Sequence, residues 1–127
     1  MQGSCLCGEI NYRISGQARS IVACHCTQCR KTSGHYVAAT QVKKEQLEIT
    51  GSENLKWYRS SAAAKRAFCS NCGSQLFWAQ LASPDISVMA GTLDGLTGLV
   101  MDRQICIESK GDYYALPNVA DVDQSTL

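Results

Sequence analysis

Seven of the eight cysteines in this 127-residue chain fall into three short motifs: C-x-C at Cys5 and Cys7, C-x-C-x-x-C at Cys24, Cys26 and Cys29, and C-x-x-C at Cys69 and Cys72. Clustered thiols at these spacings are metal ligands or redox groups. Zinc takes four ligands in a structural site and commonly three plus a water in a catalytic one. Seven therefore divides naturally as four and three. Residues two apart in an extended chain point the same way, so Cys24 and Cys26 share a side while His25 faces the other. Residues three apart on a helical turn are neighbours, which brings Cys29 towards Cys26. This keeps the triad together and leaves Cys5, Cys7, Cys69 and Cys72 as a four-thiolate site that closes a long loop. A triad has one position open for chemistry; four thiolates have none.

Other cysteine chemistries fit less well. Neither C-x-x-C is followed by His, which argues against covalent haem. No H-x-E precedes a P-C-x-x-C, so the zinc-deaminase signature is absent. A dithiol redox role for Cys69 and Cys72 leaves five cysteines unexplained, and spacing alone leaves an iron–sulfur cluster open. The eighth cysteine, Cys106, sits in the apolar run "ICI". It reads as an inert core thiol, with the alternative that it closes the triad into a second structural site.

Charged and aromatic neighbours carry weaker signals. Arg30 and Lys31 follow the triad directly, and Lys65 and Arg66 precede Cys69, so all four balance thiolate charge. Arg30 and Lys31 have a second reading as contacts for substrate carboxylates. His25 is expected at the surface or in a supporting position beside the ligands, and His35 in a solvated loop. Trp57, Trp78, Phe68 and Phe77 read as core. "GTLDGLTG" lacks the G-x-G-x-x-G spacing and reads as a turn.

Short strands must position these groups. "EINYRIS" alternates, placing Ile10, Tyr12 and Ile14 on one face. "YVAATQV", "LEIT", "LKWYRS", "QLFWAQL", "DISVMAG" and "QICIESK" follow, broken by Gly, Ser, Asn and Asp. Helix is expected for about a turn after Thr27, with "SSAAAKRA" a weak second candidate because alanine favours helix. The chain reads as a single all-β domain of short antiparallel strands over residues 1–116. Residues 117–127 form a C-terminal tail, mobile or loosely docked. With two Trp, two Phe and five Tyr, the core is thin, and a metal staple is expected on stability grounds.

Composition narrows the partners. A formal charge of +1 and no basic stripe argue against nucleic acid. The apolar runs are far shorter than a membrane span. Met1 is not followed by a basic and apolar leader, so a cytosolic protein is expected, where thiols stay reduced.

"GSCLCGEINY", "CHCTQCRKTSG", "YRSS", "RAFCSNCGSQLFW" and "ICIESKGDYY" together resemble the glutathione-dependent formaldehyde-activating (GFA) enzyme family, which includes the centromere-protein V group. The resemblance spans roughly residues 3 to 114. It implies a tent-like all-β fold with a structural zinc on Cys5, Cys7, Cys69 and Cys72. It implies a second, functional zinc on Cys24, Cys26 and Cys29. The implied activity is carbon–sulfur bond formation or lysis, joining formaldehyde to glutathione as S-hydroxymethylglutathione and the reverse. The chain departs from the family pattern near its last strand. Gln104 stands where many members have His, and Tyr113 or Tyr114 where Trp is frequent. The expected protein is thus a two-zinc carbon–sulfur lyase acting on a small thiol. The competing expectation is a non-enzymatic zinc-stabilised β module that binds a protein partner.

Overall fold

The computed structural model describes residues 1–127 and is mostly β, with one short α-helix. A three-stranded sheet is built from β1 (Gln2–Ser4), β2 (Asn11–Ile14) and β5 (Leu47–Thr50), in the order β1-β2-β5. The larger sheet holds β3 (Ile21–Cys24), β4 (Val37–Lys43), β6 (Leu55–Arg59), β7 (Ala64–Cys69), β8 (Gln75–Gln80), β9 (Asp85–Met89), β10 (Met101–Ile105) and β11 (Ala120–Asp121). Its order is β11-β10-β3-β4-β9-β8-β7-β6. The helix, α1 (Thr27–Ser33), joins β3 to β4.

The alternation in β2 does what its pattern dictates. Tyr12 and Ile14, with Ile10 just ahead of the strand, are buried, while Asn11 and Arg13 are exposed. These side chains join one core cluster with Leu76, Phe77, Ala79, Ile86 and Val88 from the larger sheet. Tyr12 meets Phe77 edge-on, ring centroids 5.5 Å apart, a favoured aromatic geometry. The Tyr12 hydroxyl is paired with the Thr92 hydroxyl at 2.6 Å, so its polar end is not stranded in the core.

Several expectations change on contact with the fold. "SSAAAKRA" is no helix: residues 61–63 turn, and β7 runs from Ala64 between β6 and β8. Helix propensity is a weak bias, and pairing on both edges outweighs it. Ala64 and Ala67 serve there as small buried residues, Ala67 lying opposite Phe77. Among the four aromatic residues assigned to the core, Phe77 is fully buried and half-buried Trp57 packs against the same cluster, while half-buried Phe68 and Trp78 lie outside it. Pairing is antiparallel except at β10, which runs parallel to β3 and to β11. Parallel neighbours need a long connection, and both pairs have one. The tail beyond Pro117 therefore carries a strand, with Ala120 and Asp121 in register with Arg103 and Gln104.

Candidate functional site

The first C-x-C lies in the turn after β1, and Cys69 and Cys72 lie at the end of β7 and in the turn that follows it. Each turn closes on a glycine with left-handed backbone, Gly8 and Gly73, both at φ 80°. In both turns the glycine amide donates to the carbonyl of the first cysteine, Cys5 or Cys69. The sulfurs of Cys5, Cys7, Cys69 and Cys72 all lie within 4.8 Å of one another. Cys5 and Cys7 are 3.6 Å apart and Cys7 and Cys69 3.8 Å. Four thiolates at about 2.3 Å around one tetrahedral zinc lie roughly 3.8 Å apart, so the donor set fits the metal. Amides point at the sulfurs: Ile10 donates to Cys5 at 3.3 Å and Cys72 to Cys69 at 3.5 Å. The Ser74 hydroxyl, with the Ser74 and Cys7 amides, holds the Cys72 thiol down at about 5. The cluster joins the small sheet to the large one.

The triad is built differently. Cys24 ends β3, Cys26 is the N-cap of α1, and Cys29 faces inward from the first turn of the helix. The Cys29 amide donates to Cys26 Sγ at 3.3 Å, so a sulfur takes the capping role that an oxygen usually fills. All three sulfurs lie within 4.8 Å of one another. Within the triad Cys26 holds negative charge most readily. Hydrogen bonds from Cys24 first and Cys29 second lower its thiol, and the same sharing raises Cys24.

All three triad cysteines line a cavity of about 640 Å³, a size typical of small-molecule sites. Val22, Val37, Trp78, Met89 and Ile105 give it apolar walls, and Arg19, Arg66, Gln41 and Gln80 add polar groups. Arg66 approaches the triad most closely, its two terminal nitrogens 3.8 and 3.7 Å from Cys29 Sγ. One of them also donates to Gln28 Oε1 at 3.2 Å, while the buried Nε has no partner. Sequence adjacency to Cys69 assigns Arg66 to the four-cysteine cluster. β7 instead carries it to the other one, because neighbouring residues on a strand face opposite ways. Neither Arg30 nor Lys31 lines the cavity; Arg30 is half-buried on α1 and Lys31 is exposed.

His25 turns away from the triad, as alternation requires, but it is wholly buried rather than at the surface. Its Nε2 lies 2.9 Å from Gln104 Oε1 and its Nδ1 2.8 Å from the Tyr114 hydroxyl. Tyr36 and Tyr114 pack against the ring, and exposed His35 packs on both tyrosines. Gln104, Tyr113 and Tyr114 do not line the cavity. Gln104 and Tyr114 instead support the loop that carries the triad from behind.

Cys106 is not the core thiol that its apolar neighbours imply. It follows β10, is half-buried, and lines the cavity from a left-handed backbone at φ 59°. Among non-glycine residues it alone adopts positive φ. Burial first raises its thiol pKa, with the Cys24 thiol acting in the opposite direction. It stands outside the group of three. Cys106→Ser is accordingly expected to leave the metal content of the chain unchanged, as measured by elemental analysis; loss of one ion would make it a ligand.

The sequence pattern of the glutathione-dependent formaldehyde-activating enzyme family matches residues 1–109, and the chain belongs to that family. A Schizosaccharomyces pombe protein described as an uncharacterized lyase is 31% identical over 119 residues, covering 92% of this chain and 85% of its own length. A Halomonas elongata protein described as a putative glutathione-dependent formaldehyde-activating enzyme is 29% identical over 106 residues, covering 73% of this chain and 68% of its own. The crystal structure of a Rhodobacter sphaeroides protein superposes with a TM-score of 0.63 at 26% identity, over 80% of this chain and 98% of that one. No helix is long and apolar enough to cross a membrane.

Proposed function

We propose that the cavity is a carbon–sulfur lyase site for a small thiol, glutathione in the first instance, joined to formaldehyde as S-hydroxymethylglutathione or released from it. The observation that carries this reading is the contrast between the clusters. Four sulfurs close on one another between two turns, whereas three line a cavity of substrate size. In the forward direction a sulfur–carbon bond forms, and the thiol hydrogen ends on the former carbonyl oxygen. The reverse step breaks that bond and regenerates thiol and aldehyde. A zinc ion held by Cys24, Cys26 and Cys29 would supply a position at which a substrate thiol is deprotonated at neutral pH.

The protein's own groups set the conditions for that chemistry. Three thiolates carry more negative charge than one zinc ion neutralises, and the Arg66 guanidinium beside Cys29 offsets the excess. The apolar walls lower the local dielectric, which strengthens the interaction between Arg66 and the thiolates. Arg19 and Arg66, rather than Arg30 and Lys31, are the cations placed to meet substrate carboxylates, because they line the cavity. Arg19 is already oriented by bonds to Ala39 O, Gln41 Oε1 and Ser20 O.

The test is exchange spectroscopy on glutathione and formaldehyde with zinc-loaded protein. Interconversion faster than the uncatalysed rate is expected, together with saturable glutathione binding. A rate equal to the uncatalysed one and no binding would overturn the reading. Arg66→Gln should weaken zinc at the triad by about 10- to 100-fold in chelator competition, the usual effect of removing a group that supports a metal ligand. The four-cysteine site should be unaffected.

A further inference from the structure

The segment after Pro117 lies beyond the residues matched to the family, yet Gln124, Ser125 and Leu127 line the cavity that the triad faces. It is held on that wall by more than the short β10–β11 pairing. The Val122 amide donates to the Gln104 carbonyl at 3.0 Å. The Gln104 side-chain nitrogen donates to Pro117 O at 3.1 Å and Val119 O at 3.0 Å. Asp123 then caps the final turn, accepting from the Ser125 amide at 2.8 Å and the Ser125 hydroxyl at 2.6 Å.

Gln104 is only 3% exposed, and its bonds define its orientation. Two carbonyls can accept only from the amide NH2, so Oε1 is the atom that faces His25. His25 Nε2 must then donate to it, which leaves Nδ1 to accept from the Tyr114 hydroxyl. One glutamine thus ties the tail to the buried ring between Cys24 and Cys26. This arrangement needs two donors and an acceptor on one planar group, which a histidine at this position would not provide.

We propose that residues 117–127 form a specificity wall of the substrate cavity, with Gln104 as the positioning residue that latches it. In this assignment Gln124 and Ser125 meet the amide-bearing arm of a peptide-like thiol. The proposal rests on the reading of the cavity as a thiol site and extends it to the choice of thiol. Gln124 is an exposed side chain at the cavity wall, and its amide offers both a donor and an acceptor, the complement of a peptide group. The Ser125 hydroxyl has spent its hydrogen on Asp123 and presents lone pairs to a substrate N–H. A thiol of two carbons has no such arm.

The experiment is calorimetric titration of the full-length, zinc-loaded chain with glutathione and, separately, with 2-mercaptoethanol. Wild type is compared with the double variant Gln124→Ala, Ser125→Ala. Loss of two neutral hydrogen bonds should weaken glutathione about tenfold and leave 2-mercaptoethanol unchanged. Equal loss for both thiols, or no loss for either, overturns the wall while leaving the thiol site standing. Failure of wild type to bind either thiol removes both the site and its wall. The latch is tested by Gln104→Leu with hydrogen exchange read at the Val122 amide. Exchange as slow as in wild type would overturn it; faster exchange with glutathione selectivity reduced as in the double variant is the expected result.

Discussion

Cys72→Ala should leave the chain largely unfolded, with circular dichroism close to that of a coil and recovery mainly in the insoluble fraction. Cys72 belongs to the cluster that bridges the turn after β1 and the turn after β7, 62 residues apart at Cys7 and Cys69. Binding energy at such a site is folding energy, on the order of 10 kcal/mol for structural zinc. A domain of this size is stable by about 5–15 kcal/mol in all. The two sheets share a core of 13 buried side chains, two of which, Cys5 and Cys69, are themselves in the cluster. Removing one thiolate therefore weakens the junction between the sheets as well as the metal site. A soluble, cooperatively folded Cys72→Ala protein would show that the core holds without the staple.

Cys26→Ala has the opposite profile. Its sulfur accepts from the Cys29 amide and caps a helix of seven residues, so some local stability is lost, about 1 kcal/mol for a missing cap. The β3–β10 and β3–β4 pairings that anchor this loop do not depend on it. The variant should fold, retain the metal at the four-cysteine cluster, and lose both glutathione binding and adduct turnover. Elemental analysis, circular dichroism and calorimetric titration together separate these effects. Unfolding as complete as that of Cys72→Ala would assign the triad a structural role. Unchanged glutathione affinity would mean that the thiol is held without metal–sulfur coordination.

The elements most legible in the sequence are those whose side chains alternate or whose apolar run is bounded by turn residues. β2, β4, β5, β8 and β9 all sit where the pattern of the chain places them. β1 is three residues, Gln2–Ser4, with no apolar side chain to mark a face. β7 is alanine-rich, and its state is decided by pairing with β6 and β8, which no local window contains. β11 carries two exposed residues and exists through its pairing with β10. The grouping of seven cysteines into four and three was readable because each motif is local and its geometry follows from spacing. Arg66, Gln104 and Tyr114 were not, since each reaches its partner across 37 to 89 residues. Cys106 misled for a related reason. Its apolar neighbours describe a strand that ends one residue earlier, and the left-handed turn there aims the chain at the cavity.

X-ray absorption at the zinc edge, with and without glutathione, tests the central claim most directly. The spectrum averages over both ions, so it should show about 3.5 sulfurs and about 0.5 light atom per zinc without glutathione, and four sulfurs per zinc once it is added. Four sulfurs at both ions before any thiol is present, or a triad site unchanged by glutathione, would contradict the account.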